Sequence, residues 1–181
     1  MRGAAGALAE LAAVLDRVDD AGVDAACEDI AAAGRIMLHG CGREGLQMRG
    51  LAMRLHHLGL AVSMQGDMAA PPLGPGDLFL CSAGPGELAT VSALMRVARD
   101  AGARVLLLTA EPAAPAAALA DRVLTIPAQT MARDRAGGST LPMGSLYEGA
   151  MFLVFELMIL RLRERLGETA ETMRARHTNM E

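Results

Sequence analysis

The chain has 181 residues, of which 52% are hydrophobic, and it carries a formal net charge of -4 at pH 7. This length and composition predict one folded domain with a full hydrophobic core and exclude a disordered chain. The 17 basic residues are scattered among 21 acidic ones, so no basic face suggests nucleic acid as a partner.

Two helical stretches open the chain. Apolar residues recur at helical spacing over residues 4–19 and 22–33, and Gly22 separates the two stretches. In the first stretch, Leu8, Leu11 and Val18 lie on one face. We therefore expect residues 1–33 to form a helical lead-in to the rest of the domain.

The middle of the chain alternates short apolar runs with helical stretches, which is typical of a parallel sheet built from βαβ units. The predicted strands are residues 35–40, 60–65, 78–82, 103–109 and 122–127. The predicted helices between them are residues 44–58, 87–101 and 112–120. Because several strands are apolar throughout, both faces of the sheet must be covered. We therefore expect an α/β fold, a three-layer αβα sandwich with a five-stranded parallel sheet, over residues 34–127.

The last predicted helix, residues 145–166, follows a polar loop at residues 128–143. Its residues 146–160 are apolar nearly all round, and a lone domain of this size rarely buries every face of its last helix. We therefore expect residues 144–166 to be an interface helix in a homo-oligomer. The polar tail, residues 167–181, is expected to dock on a partner or to fray.

Signals for membrane targeting and for metal binding are weak. The longest apolar run, residues 151–160, has about half the length that a bilayer crossing needs, and the N-terminus does not read as a secretory signal. We expect a cytoplasmic protein with no membrane partner. Cys27, Cys41 and Cys81 are odd in number and widely spaced, which predicts reduced cysteines and no metal site.

The chain resembles the sugar isomerase (SIS) domain family, and within it the 6-phospho-3-hexuloisomerases, in five motifs that occur in the family's order. These motifs are GCGREGL, AMRLHHLG, AGPGELATV, PMGSLYE and MRARHTNME. The resemblance covers nearly the whole chain and implies a single SIS domain over residues 1–181 with a flavodoxin-like sheet. It also implies a homo-oligomer, a tetramer or a dimer, that interconverts sugar phosphates through a cis-enediol.

The resemblance implies catalytic roles for Glu148, His177 and His57. In the family, a glutamate that opens the last helix moves the proton, and a tail histidine from a neighbouring subunit helps to open or polarise the sugar. Each residue also has an ordinary structural explanation. Glu148 and Ser145 form the S-x-x-E pattern of a helix capping box, and a histidine in a polar tail is by default solvated.

The two glycine-rich loops are expected to bind the ligand. The expected ligand-binding residues are Gly42, Arg43, Glu44, Ala83, Gly84, Gly86 and Glu87. In the family, hydroxyl groups of these loops hold the phosphate, but here the corresponding positions carry Glu44, Ala83, Pro85 and Leu88. Pro85 also lacks a backbone N–H that could bind an anion. The phosphate end of the predicted pocket is therefore altered, unless Ser82 or Thr90 compensates by a shift in register.

Glu44 makes the strongest case against a phosphate. If its carboxylate lay about 5 Å from a phosphate dianion, Coulomb's law at an effective dielectric of about 20 gives roughly 6 to 7 kcal/mol of repulsion, enough to abolish ordinary affinity. Arg43 could pair with either anion but cannot neutralise three negative charges. An acid in the first turn of a helix is also favoured by the helix dipole, by about 0.3 to 1 kcal/mol, so a purely structural role remains an alternative.

Two hypotheses for the function follow. The first is a homo-oligomeric isomerase of a sugar or sugar phosphate, with Glu148 as the base and an altered phosphate pocket. The second is a non-catalytic protein that has kept the fold and binds a sugar derivative. Neither hypothesis needs a cofactor, because the loop GCGREGL is a degenerate match to dinucleotide-binding loops and no ribose-binding acid follows about twenty residues on.

Overall fold

The computed structural model describes residues 3–134 and 138–180, so part of the predicted polar loop lies outside the described residues. The strands are β1 (Ile36–Gly40), β2 (Val62–Met64), β3 (Leu78–Ser82), β4 (Arg104–Thr109) and β5 (Arg122–Thr125). The α-helices are α1 (Ala4–Leu15), α2 (Asp20–Ala32), α3 (Gly42–His57), α4 (Ala89–Asp100), α5 (Ser145–Arg165) and α6 (Ala170–Ala175). Two 3₁₀ turns occupy Pro115–Leu119 and Met131–Arg133.

The five strands form one parallel sheet in the order β2-β1-β3-β4-β5. This order is that of a flavodoxin-like sheet, in which the chain winds in both directions from the centre. The prediction of an α/β fold with a five-stranded parallel sheet is confirmed.

Alternate side chains of the strands enter two separate cores, one on each face of the sheet. In β3, Leu78 and Leu80 pack into the first core, whereas Phe79 and Cys81 pack into the second. Helices α2, α3 and α5 cover the first face, and α1 packs on α5. Helix α4 and the turn Pro115–Leu119 cover the second face. Burial on both faces explains why the strands are apolar throughout.

The break between the first two helices lies before Gly22, which was the predicted separator. Asp19 caps α2, because its carboxylate accepts hydrogen bonds from the backbone N–H groups of Ala21 and Gly22. These bonds satisfy donors that have no partner within the helix. An N-cap aspartate therefore determines where α2 begins, and Gly22 lies inside that helix.

The start of α5 also differs from the predicted capping box. Gly144, in the left-handed region with φ of 83°, is the N-cap, and it provides no side-chain hydrogen bond. Ser145 is therefore the first helical residue, and Glu148 does not reach back to close a box with it. Instead, the Glu148 side chain is available to the pocket described below.

Part of the polar tail is helical. Helix α6 is capped by Thr169, whose hydroxyl accepts a hydrogen bond from the Thr172 N–H. Arg176, which follows α6, donates to the backbone oxygen of His57 at the end of α3 and forms an ion pair with Glu168. The tail thus contacts α3 of its own chain through Arg176. The expectation that the tail docks on a partner or frays stays a prediction.

Two glycines allow α3 to start close against the end of β1. A Cβ atom added at Gly45 would lie 2.5 Å from the backbone oxygen of Gly40, a distance that no packed carbon tolerates. The first turn of α3 is therefore held against the carboxyl end of β1, and this contact places the loop between them.

Asp29 connects α2 to the amino ends of two strands. Its buried carboxylate accepts a hydrogen bond from Arg104 at 2.5 Å and another from Arg122. Burial alone would raise the pKa of Asp29, but the hydrogen bonds from the two arginines lower it overall. The charged carboxylate is thus the form that the fold favours.

Asp29→Asn is expected to lower the free energy of unfolding at pH 7 by about 2 kcal/mol, less than for a fully buried pair because both arginines are partly exposed. Because the folded-state pKa of Asp29 is depressed, its contribution is complete above the unfolded pKa of about 4 and disappears as pH falls through the folded value. Urea unfolding at pH 7 and pH 3 measures this loss of stability.

The exposed Asp24, paired with Arg161, gives the control Asp24→Asn, for which a change of about 0.5 kcal/mol or less is expected. Equal losses in the two variants would contradict the assigned role of Asp29.

Among the residues that the structure describes, no helix has the length and apolar character needed to cross a membrane.

Candidate functional site

The candidate site lies at the carboxyl ends of β1 and β3, where the strand order reverses direction. The connection after β1 leads outward to β2, whereas the connection after β3 leads to β4 on the other side. The loops that follow these two strands must diverge, which leaves a crevice between them. Both glycine-rich loops identified in the sequence border this crevice.

A pocket of about 290 Å³ occupies the crevice. It is bounded by both loops, by the segment after β5 and by the first turn of α5. The lining residues are Cys41, Gly42, Arg43, Glu44, Pro85, Leu88, Thr130, Met131, Met143, Gly144, Tyr147 and Glu148. The walls are largely apolar, with two carboxylates and one guanidinium as the charged groups.

Glu44 reaches from the first turn of α3 across to the second loop. Its Oε2 accepts a hydrogen bond from Ser82 Oγ at 2.5 Å and another from the backbone N–H of Gly84 at 3.0 Å. Burial raises the pKa of the Glu44 carboxyl, and these two hydrogen bonds oppose the rise. The side chain therefore turns into the site and does not face outward to solvent.

Gly84 is required for this arrangement. A Cβ atom at this position would lie 2.8 Å from Glu44 Oε1 and 2.8 Å from the ring of Tyr147. The absence of a side chain at Gly84 thus lets the carboxylate and the aromatic ring approach the loop together. Tyr147 is fully buried below the pocket, and its hydroxyl lies 3.4 Å from Ser82 Oγ.

Glu148 lies on the opposite side of the pocket, in the first turn of α5. Its Oε2 is 2.6 Å from Nη2 of Arg43, which also donates to Ser145 Oγ at 2.9 Å. The Glu148 side chain is only 13% exposed, whereas that of Arg43 is 57% exposed. The pair thus consists of a shielded carboxylate and a cation that faces solvent.

The pKa of Glu148 is raised above its ordinary value. Burial makes the largest contribution, Arg43 lowers the pKa, and the nearby charge of Glu44 raises it. A carboxylate with a raised pKa accepts a proton more readily than one in water, which suits a general base. The Glu148 side chain also lines the pocket, so it can face a ligand held there.

The remaining predicted ligand-binding residues do not reach the pocket surface. Ala83 is buried beside β4, where its N–H donates to the oxygen of Leu108. Gly86 adopts φ of 95°, and Glu111 packs closely over it. The Glu87 side chain is exposed outside the pocket. Pro85 and Leu88 are the residues of the second loop that border the ligand space.

The two predicted histidines form a separate group at the other end of α3. The rings of His57 and His177 are stacked with their centroids 5.2 Å apart, and both line a second pocket of about 390 Å³. His57 lies thirteen positions after Glu44 along α3, which corresponds to about 20 Å at 1.5 Å per residue. The structure therefore does not bring His57 near the first pocket within one chain, because it lies at the opposite end of the helix.

Several residues of the site were not predicted from the sequence. The pocket is also lined by Tyr147, Thr130, Met131 and Met143. Tyr147 could have been predicted, because it is the chain's only tyrosine and lies beside Glu148 in the sequence. Thr130 is buried, and its Oγ1 has no hydrogen-bond partner among the described residues. The residues around Met131 lie in a loop without periodicity, so no pattern connected them with the strands.

The cysteines and possible metal ligands complete the chemistry of the site. All three cysteines are free thiols, and burial together with the Glu44 charge raises the pKa of the Cys41 thiol, which disfavours a reactive thiolate. In residues 3–134 and 138–180, no three His, Cys, Asp or Glu side chains are grouped so that they could hold a metal ion.

Comparison with known proteins gives one family model and several relatives. The model described as the SIS domain matches residues 29–148. A 3-hexulose-6-phosphate isomerase of Mycobacterium gastri is 37% identical over 172 residues, which make up 95% of this chain and 86% of that protein. A 3-hexulose-6-phosphate isomerase of Methylomonas aminofaciens is 37% identical over 151 residues, 83% of this chain and 82% of that protein.

Among solved structures, a protein of Methanococcus jannaschii has a similar fold. Its structure was reported to infer a function as 3-hexulose-6-phosphate isomerase. The two chains are 22% identical, each is covered over its full length, and the TM-score is 0.86. This likeness concerns the fold, which is shared from the first helix to the tail.

Proposed function

Because the chain belongs to the SIS domain family, we propose that it is a sugar isomerase that moves a proton between adjacent sugar carbons through an enediol. The observation that carries this proposal is the shielded Glu148 carboxylate, which lies at the wall of the crevice beside Arg43. The 3-hexulose-6-phosphate isomerases at 37% identity support the reaction class.

In the proposed reaction, the Glu148 carboxylate takes the proton from the carbon next to the sugar carbonyl. The C–H electron pair moves into the carbon–carbon bond, and the carbonyl oxygen becomes an enediol oxygen. The hydroxyl proton on the carbon that lost its hydrogen then passes to the former carbonyl oxygen. Glu148 returns its proton to the former carbonyl carbon as the other oxygen becomes the new carbonyl, so one base serves both carbons. Arg43 stands beside the base and stabilises the negative charge that develops on the enediol oxygen.

We further propose that His177 acts in the site of a neighbouring subunit, because within one chain it lines the second pocket beside His57, whereas Glu148 lines the first. The exposed apolar side chains of α5 support a homo-oligomer, a tetramer or a dimer. Phe152 is 54% exposed and Leu160 is 52% exposed, and Met53 on α3 is 50% exposed. Large apolar groups left open on neighbouring helices are typical of a subunit interface.

The proposed function is tested by exchange with deuterated solvent. The protein is incubated in D₂O with ketohexoses, aldohexoses and their 6-phosphates, and each sugar is examined by proton NMR. An isomerase is expected to incorporate deuterium at the carbon next to the carbonyl in at least one sugar. A sugar that binds, as shown by calorimetry, without any exchange would support the non-catalytic alternative.

A shared site makes a specific prediction for mixed oligomers. Glu148→Gln and His177→Ala are each expected to have little activity alone. When subunits of the two variants are mixed at random in equal amounts, about one quarter of the sites pair an intact Glu148 with an intact His177 from the neighbour. The mixture should therefore recover about one quarter of the natural activity. Co-expression with two affinity tags and an activity assay measures this. Mixing tagged copies of one variant is the control. If the mixture is no more active than the single variants, the neighbour's histidine has no part in the site.

A further inference from the structure

The Glu44 carboxylate occupies the place where the second loop would hold an anion. It accepts the Gly84 N–H at 3.0 Å and the Ser82 hydroxyl at 2.5 Å. These are a backbone amide and a side-chain hydroxyl, the two kinds of donor that loops use for phosphate groups. In this chain both donors are already bound to an internal anion.

The other amides at residues 83–86 of the loop offer no replacement. The Ala83 N–H donates to the oxygen of Leu108 at 3.0 Å, and the Gly86 N–H donates to the oxygen of Ala83 at 2.8 Å. Pro85 has no N–H. From residue 83 to residue 86, every backbone donor is therefore either used within the protein or absent.

A shift in register does not supply the missing hydroxyls. Ser82 is fully buried at the end of β3 and is bonded to Glu44. Thr90 is exposed on α4 and does not line the pocket. The side chains of the second loop that do border the pocket, Pro85 and Leu88, are apolar.

The charges of the pocket also oppose an anion. Glu44 and Glu148 both line it, and Arg43, the lining cation, is already paired with Glu148 at 2.6 Å. Two carboxylates against one guanidinium leave the pocket negative when both carboxylates are ionised. A phosphate dianion would therefore enter against the charge of Glu44, and residues 83–86 would offer it no free backbone donor.

We propose that the pocket takes an unphosphorylated sugar that presents hydrogen-bond donors, hydroxyl or ammonium groups, to Glu44, and that Glu44 is the residue that excludes phosphorylated sugars. The choice of sugars as ligands rests on the proposed function. The exclusion of phosphate rests on the contacts of Glu44 and on the donors and charges around it, and not on the reaction, so the two can fail separately.

The test is calorimetric titration of the full chain with fructose, glucosamine, fructose 6-phosphate and inorganic phosphate. The natural protein is expected to bind fructose or glucosamine at least tenfold better than fructose 6-phosphate. A preference for fructose would indicate recognition of hydroxyl groups, and a preference for glucosamine would indicate recognition of the ammonium group. Glu44→Ser, which removes the charge and releases the Gly84 N–H, is expected to improve the affinity for fructose 6-phosphate or phosphate at least tenfold.

Glu44→Gln and Glu164→Ser serve as companions. The glutamine keeps an oxygen that can accept the Gly84 N–H but has no charge, so it should gain less phosphate affinity than the serine variant. Glu164→Ser removes an exposed carboxylate in the last turn of α5 and should change affinity less than twofold. If the natural protein prefers fructose 6-phosphate tenfold, or if neither Glu44 variant gains phosphate binding, the proposal is wrong. Both of these outcomes can occur whether or not the protein exchanges sugar hydrogen with solvent. The exchange experiment therefore tests isomerisation separately.

Discussion

Glu148→Gln is expected to slow proton exchange between sugar and solvent by about a hundredfold to ten thousandfold, the usual contribution of a general base. Glutamine has nearly the same shape but cannot accept the proton, and the fold does not depend on the charge, because Gly144 and not a capping box begins α5. Circular dichroism and the thermal midpoint of the variant should therefore remain close to those of the natural protein.

The pH dependence gives a second readout of the same variant. A base works only when it is ionised, and the pKa of Glu148 is raised, mainly by burial. In the natural protein the rate should fall as pH drops through this raised value, which lies above 4.5. The acid limb should be absent from any residual activity of Glu148→Gln.

A matched control is available on the same helix. Glu156 lies two turns further along α5 and pairs with Arg54 outside the first pocket. Because a surface ion pair contributes at most about 0.5 kcal/mol, Glu156→Gln should retain the exchange rate within about threefold. Glu148 is not the base if its variant exchanges protons as fast as this control. A variant that fails to fold would instead indicate a structural role for the Glu148 charge.

Gly45→Ala is expected to lower the free energy of unfolding by about 3 kcal/mol, at the upper end of the usual cost of overpacking. The added Cβ would lie 2.5 Å from the oxygen of Gly40, and a backbone atom in a strand cannot move aside as a flexible side chain can. Relief requires α3 to withdraw from β1, which also displaces Glu44, the residue before Gly45. Urea unfolding measures the loss.

Gly50→Ala provides the comparison within α3. Nothing lies within 4 Å of a Cβ at this position, and alanine favours a helix interior over glycine by up to about 1 kcal/mol. This variant should therefore be slightly more stable than the natural protein. Light scattering should confirm that all samples have the same oligomeric state. If the two alanine variants lose stability equally, the close approach of α3 to β1 has no special importance.

The strands were the most predictable part of the fold. Residues 78–82 were predicted as a strand and form β3 with those bounds, because a short apolar run between turn signals has few alternatives once it must be buried on both faces. The strand order followed from neither composition nor periodicity. It depends on the two directions of winding from β1, which the resemblance to a known family supplied.

Helix ends were less predictable, since they depend on competition between nearby caps. Asp19 begins α2 although Gly22 looked like the natural break, and Gly144 begins α5 although Ser145 and Glu148 matched a capping pattern. In both cases one residue with suitable backbone geometry outweighed a sequence pattern of similar strength.

The candidate site was predictable in its outline and unpredictable in its contacts. The order of the loops placed Arg43, Glu44 and Glu148 in one region, and the structure puts all three at the pocket. The direction of the Glu44 side chain could not be predicted, because Ser82 and Gly84 determine it from another part of the chain. The distance between His177 and Glu148 likewise depends on where the tail folds back.

The coverage of the sheet has a consequence for where this protein can be cut. The family match begins at residue 29, inside α2, and ends at residue 148, in the first turn of α5. A fragment with those limits would lack the buried side chains of α5 that cover one face of the sheet, among them Val154, Phe155 and Ile159. We therefore expect a fragment cut at these borders to expose one apolar face of the sheet and to aggregate, whereas the full chain buries that face.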